Sequence, residues 1–283
     1  MDALQQLQAN GYVVIRECMG RLNCDYVLGQ INAFKSRNQD IISSNADEFG
    51  HLYRVVNLHV AIEALAESFV SIEAALKTCD GFFSAETSLY TSLYYERGSE
   101  QALHRDSPYF CTKPENKYLG VWLALDDVDD DNGPLRVVPG SHLLPEIDVE
   151  EIGLEIFGDL KKIPSTSMEG WNRYQSEIQE QCSKQGLTAH NVHVNKGDVI
   201  IWHPLMSHGG APHAVKQRSR RSIVMHVTPV GVPVYHMDVF FNPRKQVPHT
   251  VSWRYASRRG RKIVQFDKID FAHQYTVSLK DLR

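Results

Sequence analysis

The clearest pattern in the chain is a nearly unbroken apolar run, Tyr118-Leu-Gly-Val-Trp-Leu-Ala-Leu-Asp126, closed by the turn residues Asp129-Asp-Asp-Asn-Gly-Pro134. A run of that length bounded by a turn predicts a strand covered on both faces. A shorter strand is predicted over 135–138, ending at Pro139-Gly140-Ser141-His142. Asn195-Lys-Gly-Asp198 turns the chain into a second apolar strand, Val199-Ile-Ile-Trp-His203. Residues 87–96 read as a strand, and Arg97-Gly-Ser-Glu100 as the turn after it.

The upstream third is mostly helical in pattern. A short helix to about Asn10 precedes a strand at 12–15, and a helix carries Tyr26, Leu28, Ile31 and Phe34. Residues 43–53 read as a mobile loop. A further helix places Ile62, Leu65, Phe69, Ile72 and Leu76 on one face, the pattern of a helix packed against a sheet. Between His142 and His190 the alternation stops, and a polar, partly helical stretch with Gly and Pro suggests a lid over an active-site mouth.

The fold class expected is mainly β with flanking helices, in one domain over 1–283. Residues 1–86 form helical support, 87–142 and 190–229 the β core, 143–189 a lid-like insertion and 230–283 a C-terminal extension. The length suits a single sizeable core. A net charge of −4 implies neither a nucleic-acid nor a membrane partner. Cys18, Cys24, Cys79, Cys111 and Cys182 form no CxxC pair, which predicts reduced thiols and a cytoplasmic setting. The opening Met1-Asp-Ala-Leu-Gln-Gln reads as a polar helix start, with no signal peptide or spanning segment expected. Arg254, Arg258, Arg259, Arg261 and Lys262 read as a solvated basic turn.

Candidate chemistry centres on Leu103-His104-Arg105-Asp106-Ser107. In an extended strand His104 and Asp106 share a face, and Arg105 points elsewhere. Two imidazoles and one carboxylate, leaving one side of a metal open, suit non-haem iron(II). A chain with 13 histidines produces His-x-Asp by chance, as His236-Met237-Asp238 shows. The first example differs because the buried strand pattern follows it.

A third ligand is sought on a later strand, where His203 and His208 are available. If 208–220 folds as a hairpin with its tip near His213 and Ala214, His208 and Arg220 lie opposite one another. An extended arginine would then sit one short dicarboxylate from the metal, with its fork ready for a carboxylate. On that returning strand Arg218, Arg220 and Ser222 share a face. His190 and His193 read as surface histidines without a carboxylate nearby.

Three segments, His104-Arg-Asp106, Asn132-Gly-Pro-Leu-Arg-Val-Val-Pro-Gly-Ser-His142 and Gly197-Asp-Val-Ile-Ile-Trp-His-Pro-Leu-Met-Ser-His208-Gly, together resemble the phytanoyl-CoA dioxygenase family of iron(II)/2-oxoglutarate oxygenases. The likeness runs from about Leu7 to Pro229 and includes Gly11-Tyr-Val-Val-Ile15. It implies a double-stranded β-helix, a cupin-like jelly roll. It also implies His104, Asp106 and His208 as metal ligands, Arg220 on the distal carboxylate of 2-oxoglutarate, and Trp122 beside the cosubstrate. Iron(II), 2-oxoglutarate and O2 would be used, with release of succinate and CO2 and hydroxylation as the default outcome. The carboxylate of Asp106 argues against halogenation. Where some members carry a serine after the His-Gly pair, this chain has Gly210.

Arg105, Tyr109, His203 and Arg218 are the expected substrate contacts and favour a small polar or anionic molecule. No phosphate-cradling glycine loop argues for coenzyme A. A homo-oligomer is left open. The alternative is a metal-dependent cupin isomerase or lyase, which would have no need of Arg220.

Overall fold

A computed structural model describes residues 1–272 and 274–283. In chain order its helices are α1 (Ala3–Asn10), α2 (Arg21–Arg37), α3 (Gln39–Asn45), α4 (Glu63–Ser71), α5 (Glu73–Phe83), α6 (Val149–Phe157), α7 (Met168–Lys184) and α8 (Met237–Phe240). The strands are β1 (Tyr12–Ile15), β2 (Val55–Val56), β3 (Thr87–Tyr95), β4 (Cys111–Thr112), β5 (Leu119–Ala124), β6 (Leu135–Val137), β7 (His190–Val192) and β8 (Val199–Trp202). They continue as β9 (His208–Gly210), β10 (Ser222–Pro229), β11 (Val234–Tyr235), β12 (Tyr255–Arg258), β13 (Arg261–Val264), β14 (Lys268–Phe271) and β15 (Tyr275–Ser278).

The start of the chain shows how local chemistry sets these bounds. Asp2 and Gln5 exchange side-chain and backbone hydrogen bonds of 2.8 and 3.0 Å, a capping box that opens α1. Gly11 closes it in the left-handed region, at φ 80°, and the chain leaves directly as β1.

Two sheets face one another. The large one runs β1-β8-β5-β10-β3-β2-β14-β15, with β13 also on β3 and β12 on β13. The small one is β7-β6-β9. At the centre of the large sheet β5 lies between β8 and β10, which satisfy both of its edges, and its residues are buried on both faces. Leu119, Val121 and Leu123 face outward into a core shared with α2, α4 and α5, while Trp122 and Ala124 face inward. The same alternation splits β8, with Val199 and Ile201 outward and Ile200 and Trp202 inward against Leu135, Val137 and Val192 of the small sheet. Gly120 makes room for this packing. A Cβ there would meet Trp202 Cε2 at 2.0 Å.

One irregularity shapes the interior. Against β10, Thr91 pairs with His226 and Leu89 with Val227, so Tyr90 is an extra residue in β3. Such a bulge re-aims side chains, and both Tyr90 and Thr91 here reach the space between the sheets.

Several expectations change. The loop expected over 43–53 begins with the end of α3 and then closes through an Ala46–Leu52 bridge, with Leu52 fully buried. The helix expected through Leu76 is two helices broken at Ile72, although its apolar residues are buried as predicted. Tyr26 faces solvent, off the buried stripe of α2. Strands β1, β2 and β12 to β15 join the large sheet from outside the expected core segments. The basic turn is pinned to helices through Arg258–Glu63, Arg259–Glu67 and Arg261–Asp80 ion pairs. His193 does have a carboxylate partner, exposed Asp130 at 2.8 Å. The cysteines are unpaired. Among the described residues no helix is long and apolar enough to cross a membrane.

Candidate metal centre and active-site cavity

His104 and His208 are brought together by backbone pairing. The His104 N–H donates to the His208 carbonyl at 2.7 Å and the His208 N–H donates back to the His104 carbonyl at 2.9 Å, so the rings stand side by side with centroids 4.5 Å apart. Each Nδ1–H donates to a carbonyl two residues back, Ala102 at 2.7 Å and Met206 at 3.1 Å. Those bonds fix the tautomer and turn both Nε2 atoms inward.

Asp106 completes the group. Its carboxylate oxygens lie 3.4 Å from His104 Nε2 and 3.4 Å from His208 Nε2, and one donor atom from each residue falls within 4.8 Å of the others. Cis donors on a first-row metal at ordinary bond lengths are roughly 3 Å apart, so the set fits a metal with little closure. Burial would raise the Asp106 carboxyl, but the neighbouring His208, His104 and His226 imidazoles outweigh it and hold the carboxyl well below the usual carboxylate range. Burial, and then the neighbouring His208, lower the pKa of His104, leaving a neutral imidazole. An ionised carboxylate and a neutral imidazole are the forms a metal takes.

Arg220 lies just before β10, a strand of the opposite sheet. It is 3% exposed, its Nη1 donates to the Gly133 carbonyl at 2.8 Å, and its Nε has no partner. Its guanidinium lies 5.5 Å from the Trp122 ring centroid. Burial pulls its pKa down to about 10, so it remains charged at neutral pH. Among the described residues no carboxylate lies in salt-bridge range of it. A buried, unpaired guanidinium is costly, and an anionic ligand relieves that cost.

The hairpin expected between His208 and Arg220 does not form. β9 pairs with β6, and β10 pairs with β3 and β5, so the two residues face each other across the interior. The connecting chain is instead tied to the acidic turn through Val215 N–H to the Asp131 carbonyl and Asn132 Nδ2 to the Ser219 carbonyl.

Between the sheets lies a cavity of about 660 Å³, whose walls include His104, Asp106, His208, Arg220, Trp122 and Tyr109. Three expected substrate contacts are outside it. Arg105 turns back into the protein, its Nη2 on the Ser141 carbonyl at 2.6 Å. His203 packs edge-on against Phe82, accepts from the Leu205 N–H and is pushed down to about 4 by burial. Arg218 faces solvent, paired with Asp129 and Asp131. Each failed for the same reason. Local alternation says which side a residue leaves a strand, and not what covers that side.

Other cavity residues escaped the sequence reading. His226 is buried, donates from Nε2 to Asp106 Oδ2 at 3.1 Å and stacks on Phe110 with ring centroids 3.8 Å apart. Extending the 220, 222 alternation to 224 and 226 would have found it. Arg54, bonded to Tyr95 Oη and Gln101 Oε1, precedes a two-residue strand too short to carry a pattern.

The insertion supplies α7, which grips the metal segment. The Arg105 N–H donates to Gln175 Oε1 at 2.8 Å, Gln175 Nε2 donates back to the Arg105 carbonyl at 3.0 Å, and Gln179 Nε2 donates to the Leu103 carbonyl. Trp171, one turn earlier, packs against the His104 ring and against Tyr109.

A jelly roll with a His-x-Asp and distant His triad inside it, facing a buried arginine, defines the class of iron and 2-oxoglutarate oxygenases. The chain belongs to the phytanoyl-CoA dioxygenase (PhyH) family, whose pattern matches residues 7–222. It is 28% identical over 131 residues to the peroxisomal phytanoyl-CoA dioxygenase of Bos taurus, covering 46% of this chain and 34% of that one. A phytanoyl-CoA dioxygenase domain-containing protein 1 from the same species is 25% identical over 161 residues, 57% of this chain and 50% of its own length. The chain thus spans about a third to a half of these relatives. In fold it is similar to the α-ketoglutarate-dependent carbocyclase SnoK from nogalamycin biosynthesis, at TM-score 0.63 and 16% identity over 89% of this chain and 93% of that one. It is also similar to EctD from S. alaskensis, solved with 2-oxoglutarate and 5-hydroxyectoine, at TM-score 0.58 and 12% identity over 80% and 75% of the two chains.

Proposed function

We propose that the protein is an iron(II)/2-oxoglutarate-dependent oxygenase that hydroxylates a small molecule. His104, Asp106 and His208 would hold the iron, and Arg220 the distal carboxylate of 2-oxoglutarate. The observation that carries this reading is the buried Arg220 with an unpartnered Nε, facing the triad across one cavity. Iron with bound 2-oxoglutarate and O2 would supply oxidative decarboxylation to succinate and CO2, one oxygen atom going to succinate and the other to the C–H carbon of the substrate as hydroxyl.

The chain's own residues do the rest. The Nδ1 bonds of His104 and His208 keep both rings in one orientation. His226 holds one oxygen of Asp106. Arg220 and Arg54 bring two positive charges to the cavity, matching a dianionic cosubstrate. Trp122 and Trp202 line the interior and limit water around it.

For the primary substrate the support shifts. With Arg105, His203 and Arg218 outside the cavity, the outer walls are chiefly aromatic: Tyr90, Tyr109, Phe110, Trp171 and Phe266. Such walls favour a substrate with an apolar, ring-bearing body over a small polyanion.

The test is anaerobic titration of the iron(II)-loaded protein with 2-oxoglutarate, following the weak visible charge-transfer band of a chelated 2-oxo acid. The band is expected in the wild type and lost or greatly weakened in Arg220→Ala. No band at saturating 2-oxoglutarate would refute the assignment and favour a cupin isomerase or lyase.

A further inference from the structure

Arg220 leaves part of a carboxylate's hydrogen-bonding capacity unmet, since a carboxylate offers about four acceptor sites and one guanidinium edge fills two. The loop beside the guanidinium supplies a further donor. The loop after β3 passes directly over Arg220: a Cβ at Gly98 would stand 3.0 Å from Arg220 Cζ and 3.2 Å from Nε. The Gly98 N–H donates to His213 Nε2 at 2.9 Å, which fixes the loop there.

Ser99 follows, and its side chain reaches the cavity beside Gly209, Gly210 and Arg220. Its oxygen receives the Gln101 N–H at 3.4 Å, and among the described residues nothing accepts its proton. The opposite wall of this slot is Gly210, where a Cβ would stand 3.1 Å from Ser99 Oγ. The serine hydroxyl, with the Glu100 backbone N at 3.0 Å from the same point, occupies the space that a side chain at position 210 would take. Nearby, Tyr95 Oη and Gln101 Oε1 both accept from Arg54, which turns these acceptor atoms away from the anion.

We propose that Ser99 is the second donor to the distal carboxylate of 2-oxoglutarate, acting from the loop across the slot left open by Gly210. The inference rests on the cosubstrate reading above. Ser99 Oγ–H donates to one carboxylate oxygen while its own oxygen stays on the Gln101 N–H, and one edge of the Arg220 guanidinium takes two further lone pairs. Nothing is made or broken covalently at this position.

The experiment measures binding in anaerobic iron(II)-loaded protein through the charge-transfer band, with 2-oxoglutarate and with 2-oxopentanoate, which lacks the distal carboxylate. Ser99→Ala is expected to weaken 2-oxoglutarate about tenfold or more, the loss for one hydrogen bond to a charged acceptor, and to leave 2-oxopentanoate unchanged. The double variant Ser99→Ala/Gly210→Ser is expected to recover most of the affinity, because the hydroxyl returns to the same slot from its other wall. An unchanged 2-oxoglutarate Kd in Ser99→Ala, or an equal loss for both acids, overturns the proposal. Absence of any band in the wild type instead overturns the cosubstrate reading on which it stands.

Discussion

Replacing His226 with Phe removes the hydrogen bond to Asp106 Oδ2 while keeping a flat ring stacked on Phe110. The bond is 3.1 Å long, charge-assisted, and lies at a residue 4% exposed. Asp106 keeps its two histidine neighbours in the variant, so it stays ionised; what it loses is its fixed orientation. Partners that orient a metal-binding side chain are typically worth 10- to 100-fold in metal affinity, or about 1.4–2.7 kcal/mol. We expect a loss in that range for iron(II) or cobalt(II), measured by anaerobic competition with a chelator. His226→Gln, which retains a donor, should recover part of it. Thermal unfolding of the metal-free proteins separates a local effect from general damage, since a planar ring still stacks on Phe110 and should keep the apo stabilities close. Wild-type metal affinity in His226→Phe, with Asp106→Ala abolishing binding, would show that His226 does not orient the carboxylate.

Two further outcomes follow from contacts away from the metal. Gln175→Leu leaves the Arg105 N–H and carbonyl buried without partners, so urea unfolding should show a loss of about 2–4 kcal/mol, and metal affinity should fall with it; a loss below about 1 kcal/mol would mean water replaces the glutamine. At Asp126, burial raises the carboxyl pKa but hydrogen bonds and charge from Arg221 outweigh it, so the folded value is depressed. Its stabilisation is therefore present above the unfolded carboxyl pKa, near about pH 4, and lost as pH falls through the lower folded value. Asp126→Asn should cost stability at pH 7 and flatten the acid limb of a stability–pH curve; an unchanged limb would remove Asp126 from the acid response.

How much of this was legible beforehand depended on how far apart the causes lie. β5 and β8 were readable because both faces of each are buried, which leaves an unbroken apolar run between turn residues. His104 and Asp106 were readable as a pair because alternate residues of an extended segment share a side. Arg105 sits between them and was misplaced, because its surroundings are Gln175 and Ser141, 70 and 36 residues away. The approach of His208 to Arg220 was expected through a hairpin and occurs across two sheets, a distance that no local pattern encodes. The tail beyond β10 looked like a solvated appendage, yet its strands widen the large sheet and Phe266 enters the cavity wall.

The bulge in β3 gives chain length a part in the shape of the interior. On one side of it Leu89 faces the outer core, and on the other Thr91 and Leu93 line the cavity. A strand without Tyr90 would run from Leu89 straight to Thr91 with its two-beat phase intact, so the extra residue disturbs neither face. Tyr90 is a surplus syllable whose ring, set among Phe110, Trp253 and Phe266, narrows the chamber. Shortening the strand by that single residue would enlarge the space by a whole phenol without turning any other side chain around, so chain length as well as side-chain identity sets the size of substrate the chamber admits.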